Sequence, residues 1–112
     1  MADLLKEAAC KAIESRSEEL HQLSMDIWNN PELMFQEFKA HDRITNYLEQ
    51  QGFQVTRKTP METAFIARFG KGNGGPRIGV MCEYDALPGI GHACGHNLIA
   101  QAGVAAGIGK HL

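Results

Sequence analysis

A dense group of side chains that could bind a metal lies between residues 82 and 97. Cys94 and His96 are separated by one glycine. His92 precedes this pair, and Asp85 lies upstream of it. Thiolate sulfur and imidazole nitrogen are the ligands that zinc-type ions take. A closed zinc site takes four protein ligands and a catalytic site about three, so Cys94 and His96 predict half of a metal site.

The same residues allow two other interpretations. A lone loop histidine such as His92 is commonly hydrogen-bonded to backbone, a lone cysteine is commonly an inert buried thiol, and Asp85 could cap the turn that follows it. A thiol hydrolase with Cys94 as nucleophile and His92 or His96 as base is the second interpretation. Such pairs usually come from distant parts of a sequence. On the residues alone, the metal site, the thiol hydrolase and a structural loop all stay open.

The composition is that of a globular protein rather than a nucleic-acid-binding or membrane protein. The 112 residues are 44% hydrophobic and 21% charged, with a net charge of -2. The basic residues form no stripe or patch, and no window approaches the ~18 apolar residues of a spanning helix. The N-terminus has no secretory leader, and the three cysteines make no disulfide framework. We therefore expect a cytoplasmic protein with neither a nucleic-acid nor a membrane partner.

The spacing of apolar residues predicts two helices before this loop. Apolar residues recur at three- and four-residue intervals over residues 3–29, which predicts one long amphipathic helix. The same rhythm over residues 38–51 predicts a second helix, with Gly52 as its left-handed stop.

Strands and a final helix are predicted to flank the loop. The pattern favours three strands, at residues 53–57, 63–69 and 77–82. A glycine-rich turn over residues 70–76 would join the last two as a hairpin. Cys82 would pack and Glu83 would face solvent at the end of the third strand. A small-residue helix over residues 98–112 completes an α/β plan, with the loop at a strand end where open sheets place ligands.

Two stretches of the loop resemble the amidohydrolase branch of the aminoacylase/carboxypeptidase-type dinuclear metallopeptidases. They read Glu-Tyr-Asp-Ala-Leu-Pro at 83–88 and Gly-His-Ala-Cys-Gly-His-Asn at 91–97. Upstream, residues 27–33 are similar to the family's helix-ending Trp-X-X-Pro-Glu-Leu pattern. Two further stretches read Thr-Ala-Phe-Ile-Ala and Cys-Glu-Tyr-Asp. They are most similar to the sequences of the subgroup that hydrolyses basic dipeptides. The resemblance spans essentially the whole chain.

This resemblance implies roles for three residues. Cys94 matches a metal-ligand cysteine that bridges two ions, and His96 matches a terminal ligand of one of them. Asp85 matches the family's catalytic-site acid, which lies beside the metals and orients the site. The implied cofactor is two divalent ions (zinc, manganese or cobalt), at which water is activated to attack an amide carbonyl. Asn97 stands where many members of the branch have Asp, and it fits the dipeptidase subgroup.

The resemblance also implies that residues 1–112 are the N-terminal fragment of a single α/β catalytic domain. The family's paired glutamates, its later metal histidines and its lid or dimerisation domain have no counterpart in the chain. The complete enzyme would hydrolyse the amide bond of dipeptides or small amides, with a basic C-terminal residue favoured, and would be the form able to make a homo-oligomer. The alternatives are a non-catalytic metal-binding fragment and a cysteine hydrolase that uses Cys94 and a histidine.

Overall fold

The computed structural model of the chain describes residues 2–70 and 74–109. Within these ranges it has four helices and two strands: α1 (Ala2–Glu14), α2 (Ser17–Asn29), α3 (Phe38–Gln50), β1 (Gln54–Arg57), β2 (Phe65–Arg68) and α4 (His96–Ile108). The small mixed α/β fold that the sequence predicts is therefore confirmed. None of the described helices is both long enough and apolar enough to cross a membrane.

The predicted long helix over residues 3–29 is wrong, because the chain breaks it into α1 and α2. The Ser15 hydroxyl donates to the Ala12 carbonyl at 2.8 Å. The Arg16 amide donates to the Ile13 carbonyl at 3.0 Å, which is a three-residue spacing. Serine hydroxyls compete for backbone carbonyls in this way and weaken a helix interior. The three- and four-residue spacing of apolar residues continues across this break, so the spacing alone does not predict the break.

The helix over residues 38–51 and the first two strands form where the sequence predicts them. Gly52 follows α3 with φ 90°, the left-handed conformation expected of a helix stop. β1 and β2 then pair as antiparallel strands, with Val55 opposite Ala67.

The predicted third strand does not form among the described residues. Residues 77–82 have no regular secondary structure and pair with no described strand. Ile78 is 85% exposed and Met81 92% exposed. An apolar run becomes a strand only where a neighbouring strand accepts its backbone hydrogen bonds, and none of the described strands lies beside it. Because this strand does not form, the predicted hairpin between residues 63–69 and 77–82 does not form either. Residues 71–73 of the predicted turn lie outside the described residues.

The core lies between α2, α3 and α4. α1 contributes no buried residue, whereas the other three helices supply most of the buried apolar side chains, including Leu20, Leu23, Ile27, Ile44, Leu48, Val104 and Ile108. α4 begins at His96, two residues earlier than predicted, and the predicted helical residues 110–112 lie outside the described residues. The core thus holds the first turn of α4, which carries His96, against α2.

α4 also positions the segment that leads into the loop. A Cβ atom built on Gly103 would lie 2.8 Å from Cys82 Cβ and 3.4 Å from the Met81 carbonyl oxygen. Carbon atoms in contact are about 3.5–4.0 Å apart. The absence of a side chain at Gly103 is therefore what lets Cys82 pass this close to the helix.

We expect Gly103→Ala to destabilise the fold by up to about 2 kcal/mol. The overpacking cost of roughly 1–3 kcal/mol exceeds the gain of up to ~1 kcal/mol from replacing a helical glycine. Gly107→Ala is the matched control, since its Cβ would meet the ring tip of Phe53 at 3.1 Å, and a ring can move. Urea unfolding of both variants checks this. Equal free energies of unfolding for the Gly103→Ala and Gly107→Ala variants would contradict the close approach of Cys82 to α4.

An ion pair joins α2 to α3. Arg43 Nε lies 2.7 Å from Asp26 Oδ2, and Gln22 donates to Asp26 Oδ1 at 2.8 Å. The hydrogen bond from Arg43, and after it that from Gln22, hold the pKa of Asp26 below its ordinary value of 3.8. Both partners are about a third exposed, so solvent screens the pair.

The folded state's lowered Asp26 pKa makes stability depend on pH. The ion pair stabilises the fold at pH values above the ordinary pKa, and this contribution is lost as the pH falls through the lowered one. We expect Asp26→Asn to cost about 0.5–1 kcal/mol at pH 7 and almost nothing at pH 2. The check is urea unfolding at both pH values, with the exposed Glu62→Gln as control. A cost that is the same at both values would contradict the assignment.

Candidate functional site

A backbone hydrogen bond closes the loop that carries the predicted site residues, and a glycine connects this loop to α4. The Leu87 amide donates to the Gly91 carbonyl at 2.9 Å, which forms a short bridge. Gly95 has φ 81° and stands immediately before the first residue of α4. Side chains other than glycine rarely adopt this left-handed conformation. Gly95 therefore lets Cys94 stay on the loop while His96 starts the helix.

Glu32 ties the loop to the N-terminus of α3. Its backbone carbonyl accepts the Ala86 amide at 2.7 Å, next to Asp85. Its carboxylate accepts the Lys39 amide at 2.9 Å and the Ala40 amide at 2.9 Å. These amides are among the unpaired donors of a helix N-terminus, which a carboxylate satisfies well. The glutamate of the Trp-X-X-Pro-Glu-Leu pattern thus positions the Asp85 backbone, a role that its spacing did not reveal.

Two side chains on either side of the loop anchor it to the core. The Tyr84 hydroxyl donates to the Thr63 carbonyl, and its ring stacks on Phe65 with centroids 6.2 Å apart. On the other side, Asn97 Nδ2 donates to the Ser24 hydroxyl of α2 at 3.0 Å, and both residues are buried. Both anchors adjoin residues of the predicted site, namely Asp85 and His96.

Asp85, Cys94 and His96 lie together. His96 Nδ1 is 2.7 Å from Asp85 Oδ1 and 3.0 Å from the Asp85 carbonyl oxygen. Cys94 Sγ is 3.8 Å from that same carbonyl oxygen. The Asp85 side chain therefore engages the imidazole rather than capping the turn that follows it.

Glu83 joins this cluster from the other side of the imidazole. Its Oε2 atom lies 3.1 Å from His96 Nε2, although 64% of the Glu83 side chain is exposed. The expectation that Glu83 simply faces solvent is therefore incomplete. Glu83 and Asp85 both contact His96, while Tyr84 between them is buried in the core, so the side chains alternate along this segment. That alternation is the sequence signal that could have identified Glu83.

The distances favour one tautomer of a neutral His96. A hydrogen bond to a carboxylate is strong, and the contact at Nδ1 is shorter than the contact at Nε2. We therefore assign the proton to Nδ1, donated to Asp85, which leaves a lone pair on Nε2. A histidine that binds a metal also donates from one nitrogen to a carboxylate, but here the other nitrogen, Nε2, faces the Glu83 carboxylate at 3.1 Å.

His92 and Cys82 stay outside this cluster. His92 is only 3% exposed, and neither of its ring nitrogens makes a hydrogen bond of good geometry to a described residue. Burial, followed by the nearby His96, lowers the His92 pKa, which favours the neutral imidazole. Burial raises the pKa of the half-buried Cys82 thiol to about 11, so it is not a thiolate at neutral pH. The predicted packing role of Cys82 matches this.

The described residues provide part of a metal site. No group of three or more His, Cys, Asp or Glu side chains within them is arranged to hold one ion. The donor chemistry nevertheless fits, because Cys94 is exposed and His96 has one nitrogen fixed by a carboxylate. A cavity of about 170 Å³ adjoins the cluster, and its lining includes Glu83 and Asp85 together with Phe35, Glu37 and Met61.

Comparisons with known proteins give a consistent set of relatives. No protein-family model matches the chain. The chain is 42% identical to mouse Xaa-Arg dipeptidase over 116 residues, which span 96% of this chain and 27% of the relative. It is 41% identical to human Xaa-Arg dipeptidase over 119 residues, with the same shares. It is 37% identical to a component of the p-aminobenzoyl-glutamate hydrolase of Escherichia coli, over 87% of this chain and 24% of the relative. The chain thus spans about a quarter of the length of these relatives.

The assigned tautomer of His96 leads to a prediction. At pH 8.5, imidazole ¹⁵N NMR should place the proton of neutral His96 on Nδ1. In Asp85→Ala only the backbone carbonyl remains at Nδ1, so the proton should move toward Nε2, where the Glu83 carboxylate is the stronger acceptor. The double variant with Glu83→Ala should return it to Nδ1. An unchanged tautomer in Asp85→Ala would contradict the assignment.

Proposed function

This chain belongs to the aminoacylase/carboxypeptidase-type metallopeptidase family, and we propose that it forms part of a metal-dependent dipeptidase. The enzyme that contains it would hydrolyse the amide bond of dipeptides or small amides, with preference for a basic C-terminal residue. Residues 1–112 would be one part of a single catalytic domain. A cytoplasmic location belongs to the same proposal, since the free cysteines Cys10, Cys82 and Cys94 suit a reducing compartment.

The observation that carries this proposal is the placement of His96. Its Nδ1 is held by Asp85 at 2.7 Å, on the loop that also presents an exposed Cys94. By name, relatives of the chain are Xaa-Arg dipeptidases and a subunit of a p-aminobenzoyl-glutamate hydrolase. Sulfur and nitrogen donors on a loop stiffened by Glu32 and Tyr84 suit a zinc-type ion, and the preference for a basic residue follows from the names of the relatives alone.

The proposal gives each residue of the cluster a distinct role. Cys94 and His96 would be metal ligands. Asp85 would be a positioning residue, because it acts through His96 by holding Nδ1 and so fixing the orientation of the imidazole ring. When bound, two divalent ions (zinc, manganese or cobalt) would polarise the amide carbonyl and activate water. The general base and the remaining ligands would come from sequence beyond these residues.

A cysteine hydrolase is the weaker candidate. Its nucleophile needs a base within hydrogen-bond reach. Among the described residues, Cys94 Sγ makes its one hydrogen bond to the Asp85 carbonyl at 3.8 Å and none to a histidine nitrogen. His96 already has a carboxylate at each ring nitrogen, and His92 is buried. Neither histidine is therefore placed to activate the Cys94 thiol.

We expect Cys94→Ser to lower kcat/KM at least ~100-fold in an enzyme of the relatives' full length that contains this sequence. Loss of a soft ligand weakens metal retention, so the metal content should fall with activity. The matched control is Cys10→Ser, because Cys10 is an exposed thiol on α1. Dipeptides ending in arginine, and neutral isosteres of them, are the substrates, and metal content is measured on the same samples.

Chelator and thiol reagents separate the candidates. A metallo-dipeptidase loses activity in chelator and regains it with zinc or manganese. Activity that survives chelator and is lost on thiol alkylation would overturn the proposal in favour of a cysteine hydrolase. Metal binding through Cys94 without turnover in the full-length enzyme would favour the non-catalytic metal-binding fragment. The 112-residue chain assayed alone should show no turnover, and turnover by it would contradict the assignment of the base to later sequence.

A further inference from the structure

We propose that the cavity beside Asp85 binds the side chain of an arginine in the dipeptide substrate, and that the Glu37 carboxylate recognises its guanidinium group. This inference rests on the proposed function, since it concerns the substrate of the same site. It assigns to residues of this chain a preference that otherwise follows from the names of the relatives alone.

The position and size of the cavity suit one side chain of a bound dipeptide. Its lining includes Glu83 and Asp85, whose carboxylates lie 3.1 Å and 2.7 Å from the two ring nitrogens of His96. Its volume is about 170 Å³. A cavity of about 150 Å³ holds a molecule of the size of benzene, and a guanidinium group is smaller than benzene. A dipeptide whose amide group lies at His96 could therefore place the head of an arginine side chain in this cavity.

The charge of the cavity favours a cation. Glu37 is half-buried in its lining, and its Oε1 atom accepts the Thr63 hydroxyl at 3.1 Å. Glu83 and Asp85 both contact His96, whereas no described residue forms an ion pair with Glu37. The described residues of the lining include no lysine or arginine. A guanidinium group binds a carboxylate through two parallel hydrogen bonds, so it is the ligand that best satisfies Glu37.

Phe35 adds an aromatic face to the cavity from a position that suits glycine better. The Gln36 amide donates to the Leu33 carbonyl at 2.9 Å, which closes a turn with Phe35 as its third residue. Phe35 has φ 68°, a left-handed conformation that bulky side chains rarely adopt. It is 56% exposed, so burial in the core does not offset the strain. Strain of this kind is typical of ligand sites, and a guanidinium group stacks well on an aromatic ring.

The alternative occupant is a neutral apolar side chain, and it makes a different prediction for Glu37. Such a side chain would contact Phe35 and Met61, which is a half-exposed thioether in the same lining. It would also cover the Glu37 carboxylate without giving it a donor, which is unfavourable. An arginine side chain instead places its methylenes on the apolar residues and its charge on Glu37. Removal of the Glu37 charge therefore weakens the binding of arginine and not that of an apolar side chain.

The first test uses the metal-free 112-residue chain and two small probes, butylguanidinium and its neutral isostere butylurea. NMR titration followed at the Met61 methyl group gives both dissociation constants. We expect butylguanidinium to bind at least ~10-fold more tightly, and Glu37→Gln to abolish this difference. Phe35→Asn should weaken butylguanidinium binding, since asparagine tolerates the left-handed conformation but lacks the ring. The matched control Glu62→Gln removes an exposed carboxylate next to Met61 and should change neither constant. Amide spectra of each variant establish that it is folded.

The second test uses an enzyme of the relatives' full length that contains this sequence. The substrates are a dipeptide ending in arginine and the matched dipeptide ending in citrulline, whose urea group is a neutral isostere of guanidinium. We expect Glu37→Gln to lower the ratio of kcat/KM for arginine over citrulline at least ~10-fold, mainly through a higher KM for the arginine substrate. Glu62→Gln should leave this ratio unchanged.

The outcomes separate the inference from the proposed function. Equal binding of the two probes by the folded wild-type chain would overturn the inference. Metal-dependent turnover with an arginine preference that Glu37→Gln does not change would also overturn it and would leave the proposed function in place. Absence of metal-dependent turnover would overturn the proposed function, and with it the assignment of the cavity to a substrate. Loss of the preference for guanidinium in both experiments would establish Glu37 as the residue that recognises it.

Discussion

The candidate site depends on the hydrogen bond between Asp85 and His96. At 2.7 Å it is a short contact of the charge-assisted kind. It holds the imidazole in one orientation and directs Nε2 toward Glu83. Without it, the imidazole would keep only the Asp85 backbone carbonyl at Nδ1 and the exposed Glu83 carboxylate at Nε2. Every chemical role discussed for this loop depends on that fixed ring.

The rest of the fold keeps Asp85 and His96 within reach of each other. They lie on different segments, so their contact requires both segments to be placed against the core. On the Asp85 side, Glu32 and Tyr84 bind the chain to α3 and to the Thr63 carbonyl. On the His96 side, Asn97 binds α4 to Ser24 of α2. The buried helices are thus the scaffold of the site, and hydrogen bonds from polar side chains hold the loop in place against them.

The departures from the sequence prediction have local physical causes. α3, β1 and β2 follow from apolar periodicity and from Gly52, because these signals come from neighbouring residues. The break between α1 and α2 arises from a serine hydroxyl that competes for a backbone carbonyl, which periodicity does not register. The strand expected over residues 77–82 needs a pairing partner that local sequence does not specify, and none of the described strands supplies one.

The sequence by itself determined which chemistry is available. The types and order of Cys94, Gly95 and His96 predict sulfur and nitrogen donors on a glycine-turned loop, and the surrounding residues of the motif point to the family. Only the tertiary structure decided how the donors are used. It set Asp85 on Nδ1 instead of on its own turn, and it brought Glu83 to Nε2. The reason is that residue type fixes a donor's chemistry, whereas its direction depends on contacts between segments that are remote in the chain.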